Sequence, residues 1–285
     1  MRTISIAHSP DSDDAFMFYA LARGKVDTGD LAFTHELMDI ETLNGLAGEC
    51  RYDVTALSFH GYCYHTARYA LLPCGASFGE DYGPKIIARQ ALTREELRPL
   101  TVAIPGRLTT AALTLQLYLP GVATVCYPFD EIMPAVARGE VDAGVIIHEG
   151  QLTYGTLGLV QHVDLGVWWK AQNGLPLPLG GNGIRRDLPV EIQQRVAGYL
   201  RQSIDYALTH RAEALAYALE FGRGLDPANA DTFVGMYVNG VTQDYGDRGR
   251  AAVRALLTQA HQAGIIPHPV EPEFVAWPET APLAG

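Results

Sequence analysis

Residues 101–148 read TVAIPGRLTTAALTLQLYLPGVATVCYPFDEIMPAVARGEVDAGVIIH, and their changes of period decide the fold. Residues 101–104 form a short apolar, β-branched run that stops at Pro105-Gly106. Residues 109–119 place apolar side chains at helical spacing and close on Pro120-Gly121. Residues 124–127 again have strand character, residues 131–138 helical character, and residues 144–148 (GVIIH) form an apolar run of the buried-strand type. Strands that alternate with helices build parallel βα units whose helices cover the sheet.

The same alternation precedes this stretch. Residues 3–8 predict a strand broken at Ser9-Pro10, residues 14–23 a helix ended by Gly24, residues 31–37 a strand and residues 41–50 a helix. Residues 53–59 (DVTALSF) predict a third strand that runs into a polar, aromatic loop-helix at 60–65, with further strands at 70–72 and 85–88. Beyond residue 189 the pattern changes. Residues 190–210, 212–221, 229–237 and 248–263 all have helical spacing, with no strand signal between them. Residues 173–183, rich in Gly and Pro, predict a return crossing between lobes, and the outward crossing falls near 83–94. The expected fold is α/β with two lobes: a larger one of residues 1–90 plus 184–285 and a smaller one of residues 91–183. An inter-lobe cleft separates them, and the C-terminal helices pack on lobe one. This is a periplasmic-binding-protein type II-like arrangement, in which a ligand faces strand C-termini and helix N-termini.

Composition narrows the function. The chain has 285 residues, 48% hydrophobic and 19% charged, enough to bury a core and inconsistent with bulk disorder. With 21 Lys plus Arg against 32 Asp plus Glu, the net charge is −11, which works against non-specific nucleic-acid binding. A small anionic ligand is still compatible, because a few local donors outweigh the global field. No run approaches the roughly 18 apolar residues of a membrane span. Asp11, Asp13 and Asp14 interrupt the N-terminus before a secretory apolar region forms, so a cytoplasmic protein is expected. Cys50, Cys63, Cys74 and Cys126 lack CxxC spacing and predict reduced thiols rather than a zinc knuckle or a disulfide framework.

Several segments would face the cleft. Ser9-Pro10-Asp11-Ser12-Asp13-Asp14 follows the first strand and opens a helix. Ser12 or Asp13 is a candidate N-cap; three acidic residues also evoke a metal loop, without the glycine and distal Glu of a calcium site. Ser58 ends the third strand, either as a cap for the next helix or as a donor to a ligand. It lacks the GxSxG elbow of a hydrolase nucleophile. His60, Cys63 and His65 invite a metal reading, but the two histidines are five apart and no second ligand pair follows. At Pro105-Gly106-Arg107-Leu108-Thr109-Thr110-Ala111 a strand ends in a Gly turn before a helix. Thr109 is an N-cap or a ligand contact, and the amides near Thr110 and Ala111 suit a carboxylate. His148, at the end of the most apolar strand, is either a structural histidine or the best general-base candidate, with Glu149 expected on the opposite face.

These residues carry a resemblance. SPDSDDAFMFYAL, DVTALSFHGY, VAIPGRLTTAALTL, GEVDAGVIIHEGQLTYGTLGLVQHVDLGVWW and GLPLPLG with RRDL resemble the 1,4-dihydroxy-6-naphthoate synthases of the futalosine route to menaquinone, over nearly the whole chain. The resemblance implies a lyase that acts on cyclic dehypoxanthine futalosine and releases 1,4-dihydroxy-6-naphthoate plus a dihydroxyacetone fragment. It further implies a proton acceptor at His148, and substrate held by main-chain and hydroxyl groups at Ala56, Leu57, Ser58, Thr110 and Ala111. No metal, organic cofactor or obligate protein partner is implied.

The sequence also departs from that family. The family's SPCPNDTF becomes SPDSDDAF, with Asp11, Ser12, Asp13 and Ala15 as the changed positions. A common Lys is replaced by Ala56, so charge pairing with a substrate carboxylate is lost there, and Arg107 or His60 are the cations that could compensate. Asp14 is a further candidate for the base. Chorismate dehydratase, of the same fold and pathway, and a non-catalytic binding protein for small anions are the alternative functions.

Overall fold

Alternation in RTISIAH turns Ile4 and Ile6 into the core while Arg2 and Thr3 stay exposed, and that strand organises the first lobe. The computed structural model describes residues 1–221 and 226–278. Its strands are β1 (Arg2–His8), β2 (Leu31–Leu37), β3 (Val54–Ser58), β4 (Tyr69–Leu71), β5 (Ser77–Gly79), β6 (Lys85–Ala88), β7 (Thr101–Ile104), β8 (Ala123–Cys126), β9 (Ala143–Ile146), β10 (Val160–Asp164) and β11 (Leu177–Arg185). They form two sheets, ordered β2-β1-β3-β11-β4 with β5 beside β11, and β10-β6-β9-β7-β8.

The two sheets share one plan. In the first, β2, β1 and β3 are parallel and β11 runs antiparallel to β3. In the second, β8, β7 and β9 are parallel and β6 runs antiparallel to β9. Each antiparallel strand is the first one laid down after the chain enters that lobe, so the crossings lie at residues 80–84 and 174–176. The lobes therefore divide there rather than at 90/91 and 183/184: β6 belongs to lobe two and β11 to lobe one. The Gly-rich stretch expected to be a crossing is largely strand. Its glycines answer to packing, since a Cβ on Gly181 would lie 2.3 Å from the Tyr245 hydroxyl and one on Gly183 would lie 2.8 Å from Leu57.

The C-terminal helices do return to lobe one. Val190–Thr209, Arg211–Leu219 and Pro227–Tyr237 pack against the Ser12–Ala22 helix. Phe16, Met17 and Phe18 meet Val196, Leu200 and Ile204 in one buried cluster. On the opposite face, Gly246–Gln262 covers β11 with Leu256 and Leu257. At the crossings the backbone of Tyr82 and Gly83 passes against Gly166, where a Cβ would meet the Tyr82 carbonyl oxygen at 1.9 Å. The four cysteines are free thiols; Cys74 is buried and Cys126 exposed.

Candidate active site

The strand C-termini of both sheets open onto one cleft of about 760 Å³, including its solvent mouth. Lobe one contributes the loop after β1, the end of β3 and the middle of β11. Lobe two contributes the start of the Thr110–Tyr118 helix and the turn after β9. Of the residues expected at the site, Ala56, Leu57, Ser58, Thr109, Thr110, Ala111, His148 and Asp14 all line this cleft. Arg107 does not. Glu41 of lobe one accepts its amide at 2.8 Å and that of Leu108 at 3.1 Å, and the Arg107 side chain is exposed to solvent.

β1 pairs with β3 only at Val54 and Thr55, while β11 follows the other edge of β3 as far as Ser58. Among the described residues, Ala56–Ser58 therefore has an edge with no strand partner, where main-chain groups can meet a ligand. The Leu57 side chain points into the core, so its contribution is backbone. Buried Asn44 accepts the Ser58 amide at 2.9 Å and donates to the Ser58 hydroxyl oxygen at 3.1 Å, leaving the hydroxyl proton to be donated onward. Across the cleft, Thr109 is the N-cap: its hydroxyl accepts the Ala112 amide at 3.2 Å and donates to the Gly106 carbonyl at 2.8 Å. The amides of Thr110 and Ala111 open the helix and have no carbonyl one turn earlier, which makes this end electropositive. The Thr110 hydroxyl, expected to contact substrate, instead donates to the Leu179 carbonyl at 2.5 Å and ties the helix to β11.

His148 adopts φ 59°, the left-handed region that a non-glycine residue enters at a cost. β9 stops at Ile146, so strand alternation does not extend to the two residues of interest. Glu149 was expected on the opposite face; the turn brings its Oε2 to 3.7 Å from His148 Nδ1. The Gly150 amide donates to Nδ1 at 3.1 Å, Nε2 lies 3.5 Å from the Phe129 carbonyl oxygen, and the ring stands edge-on to Phe129 with centroids 4.7 Å apart. With 9% of its side chain exposed, the imidazole is oriented from several sides at once. Glu149 in turn accepts the Ser12 amide at 3.2 Å and the Ser12 hydroxyl at 2.5 Å, from the other lobe.

That contact explains the acidic loop. The helix begins at Ser12 with Asp11 at the N-cap position, not Ser12 or Asp13. The Ser12 hydroxyl is committed to Glu149, Asp13 Oδ2 accepts the Ser77 hydroxyl at 2.8 Å, and Asp14 Oδ2 accepts the Ser9 amide at 3.0 Å. Burial, reinforced by the neighbouring charges of Asp14, Asp11 and Glu149, holds the Asp13 carboxyl well above the usual range. Burial also pushes Asp14 up to about 6, against the lowering effect of its bonds from Ser9. His60, Cys63 and His65 are occupied otherwise: their side chains bond the backbone carbonyls of Thr109, Phe59 and Asn44 respectively.

A family model described as menaquinone biosynthesis matches residues 4–262. The chain belongs to that family. A relative from Thermus thermophilus, named 1,4-dihydroxy-6-naphthoate synthase, is 41% identical over 275 residues, covering 96% of this chain and all of the relative. A solved protein from Archaeoglobus fulgidus superposes with a TM-score of 0.89 at 46% identity, over 93% of this chain and 98% of that one. The fold itself recurs at far lower identity. A Candida albicans protein described as having the generic periplasmic binding protein fold aligns with a TM-score of 0.70 at 12% identity, over 98% and 99% of the two chains.

Several cleft residues of this menaquinone-biosynthesis family member escape a reading of local sequence. Asn182 lines the cleft from β11, between the GLPLPLG and RRDL stretches, and Asn44, in the Ile40–Leu46 helix, bonds Ser58 from outside the lining; they are 1% and 0% exposed. Gln151 and Tyr237 meet through a hydrogen bond of 2.9 Å that joins lobe two to the C-terminal helices. A lone Asn in a strand is the one signal available for Asn182, since a strand interior disfavours that residue unless it has polar work to do.

Proposed function

We propose that the protein cleaves cyclic dehypoxanthine futalosine to 1,4-dihydroxy-6-naphthoate and dihydroxyacetone, as a carbon–carbon lyase with His148 as general base. Kinship with a named naphthoate synthase supports the substrate. The observation that carries the chemistry is the strained, multiply oriented His148 in the same cleft as a helix N-terminus and the Ser58 hydroxyl. Removing a hydroxyl proton beside the scissile bond lets that bond break toward a carbonyl in the retro-aldol sense, and aromatisation of the departing ring system favours the products. The protein then has to supply a base, an orientation, and donors for developing negative charge.

Each requirement has a residue. A neutral ring whose Nδ1 accepts the Gly150 amide carries its proton on Nε2. Proton uptake at Nδ1 trades that bond for a charge pair with Glu149, which is already within 3.7 Å. The Thr110 and Ala111 amides and the Ser58 hydroxyl provide the donors. In this reading the protein works in the cytoplasm on a small carboxylate, without cofactor, nucleic acid, membrane or obligate protein partner. Among the described residues, no helix is long and apolar enough to cross a membrane.

The test is direct. Incubation with cyclic dehypoxanthine futalosine should generate the naphthoate chromophore, and His148→Asn should lose about 10²-fold or more in turnover while retaining substrate affinity. An Asn variant within a few-fold of wild type would remove His148 from the mechanism.

A further inference from the structure

Three residues along β11 from the Leu179 carbonyl that receives Thr110, the cleft has a wall of acceptors that the proposed chemistry does not use. Asn182 lies on β11 beside Ala56 of β3 and is 1% exposed. Its Nδ2 donates to the Gly75 carbonyl at 2.6 Å, and its buried Oδ1 has no hydrogen-bond partner among the described residues. A buried amide oxygen without a donor is costly, and such groups are normally satisfied. Asn182, Gly75, Ser77, Asp13 and Asp14 all line the cleft. In each of the two carboxyls the described hydrogen bonds engage only Oδ2.

We infer that Asn182, Asp13 and Asp14 form a subsite for the neutral, hydroxyl-bearing part of the ligand, the part that leaves as the small polyol fragment. The inference rests on the lyase reading for the identity of that fragment, and on the orphaned Asn182 oxygen for its place. Hydroxyl groups fit this wall because each donates one hydrogen bond and accepts others. They can satisfy Asn182 Oδ1 and exchange bonds with the two carboxyls, whose proton affinity burial raises. An anionic group does not fit, since the charges bearing on Asp13 are those of Asp14, Asp11 and Glu149, all acidic. The cleft is thus polarised, with amide and hydroxyl donors at the Thr110 end and acceptors at the Asn182 end. A ligand with a carboxylate at one end and hydroxyls at the other enters in one orientation.

Two probes separate the ends: 1,4-dihydroxy-6-naphthoate, which lacks the polyol, and dihydroxyacetone, which lacks the ring and carboxylate. Ligand-observed NMR titration should show Asn182→Leu weakening dihydroxyacetone at least tenfold, with naphthoate affinity held within about twofold. Asp14→Ala, at the half-buried rim, should do the same and serves if the β11 variant does not fold. Equal loss of both probes, or no loss of dihydroxyacetone in a folded variant, would overturn the subsite. The lyase reading is tested separately by wild-type turnover. A protein that turns over the substrate with KM unchanged in both variants keeps the lyase and loses the subsite. A protein that binds dihydroxyacetone through these residues without turnover keeps the subsite and loses the lyase.

Discussion

At the scale of single residues, two sets of buried ionisable groups act on stability in opposite directions within one pH window. Burial lowers His8 and His35 to about 4 from 6.5; His8 stacks on Phe18 with centroids 4.5 Å apart and lies 5.7 Å from His35. As pH falls below 6.5 the unfolded chain takes up protons that the native histidines refuse, so stability is lost down to about pH 4. Asp14 does the reverse. Its native pKa of about 6 exceeds the ordinary 3.8, so the native state holds a proton longer, and stability falls as pH rises between those values and is level above. Wild type sums the two slopes, and variants separate them. His35→Phe should raise the melting temperature at pH 5 and leave it nearly unchanged at pH 8. Asp14→Asn should raise it at pH 8 and leave it unchanged at pH 3, a stability gain at a residue assigned to the ligand. Thermal melts across that range decide both. An Asp14→Asn profile parallel to wild type would mean that the carboxyl carries no burial penalty.

Secondary elements explain which features the sequence made legible. The βα alternation of residues 101–148 is local, and so β7, β8, β9 and the helices between them sit within a few residues of expectation. Ser58 and Thr109 were readable for the same reason, since one ends a strand and the other caps a helix whose periods are evident, and His148 follows an apolar strand that is equally plain. β11 was not, because its glycines arise from contacts with Tyr245 and Leu57, distant in sequence, and mimic a loop. That one strand carries Asn182 and receives the Thr110 hydroxyl through Leu179, so misreading it hid half of the cleft wall. His148 was placed on a strand face because its left-handed turn has no glycine to announce it. The N-cap reading of Thr109 leads to a prediction. Thr109→Ala removes the acceptor for the Ala112 amide and should cost about 1 kcal/mol of stability. It should also weaken carboxylate binding by loosening the first turn that presents the Thr110 and Ala111 amides. Denaturant titration and product binding should move together. Product binding that is lost with stability intact would instead mean that the Thr109 side chain contacts the ligand directly.

For the whole molecule, the question is what holds the lobes around the cleft. Polar links across it include Ser12 to Glu149, Tyr237 to Gln151, Thr110 to the Leu179 carbonyl, His60 to the Thr109 carbonyl, and Glu41 to the amides of Arg107 and Leu108. The Ser12, Tyr237 and Glu41 links lie outside the hydrophobic clusters, whereas Leu113 and Trp169 of lobe two pack with Phe59 and Tyr245 of lobe one in a cluster that spans both lobes. Among the described residues the chain crosses between lobes at residues 80–84 and 174–176, with Tyr82 passing closely against Gly166, and a hinge between the lobes would turn there. A ligand that touches both lobes favours the closed form, and its apparent affinity scales with the fraction of molecules already closed. Glu41→Ala deletes an acceptor that engages two lobe-two amides and does not line the cleft. Charge-assisted bonds of this kind contribute about 1.5–3 kcal/mol each when both partners are dry, and less at this half-buried position. A net loss of about 1.4 kcal/mol would lower ligand affinity tenfold. The variant should therefore bind 1,4-dihydroxy-6-naphthoate about tenfold more weakly and melt within about 2 °C of wild type. In solution scattering it should show a larger radius of gyration that contracts to the wild-type value at saturation. Equal radii for both proteins, with and without ligand, would mean that the cleft is rigid and that these links stabilise one fixed shape.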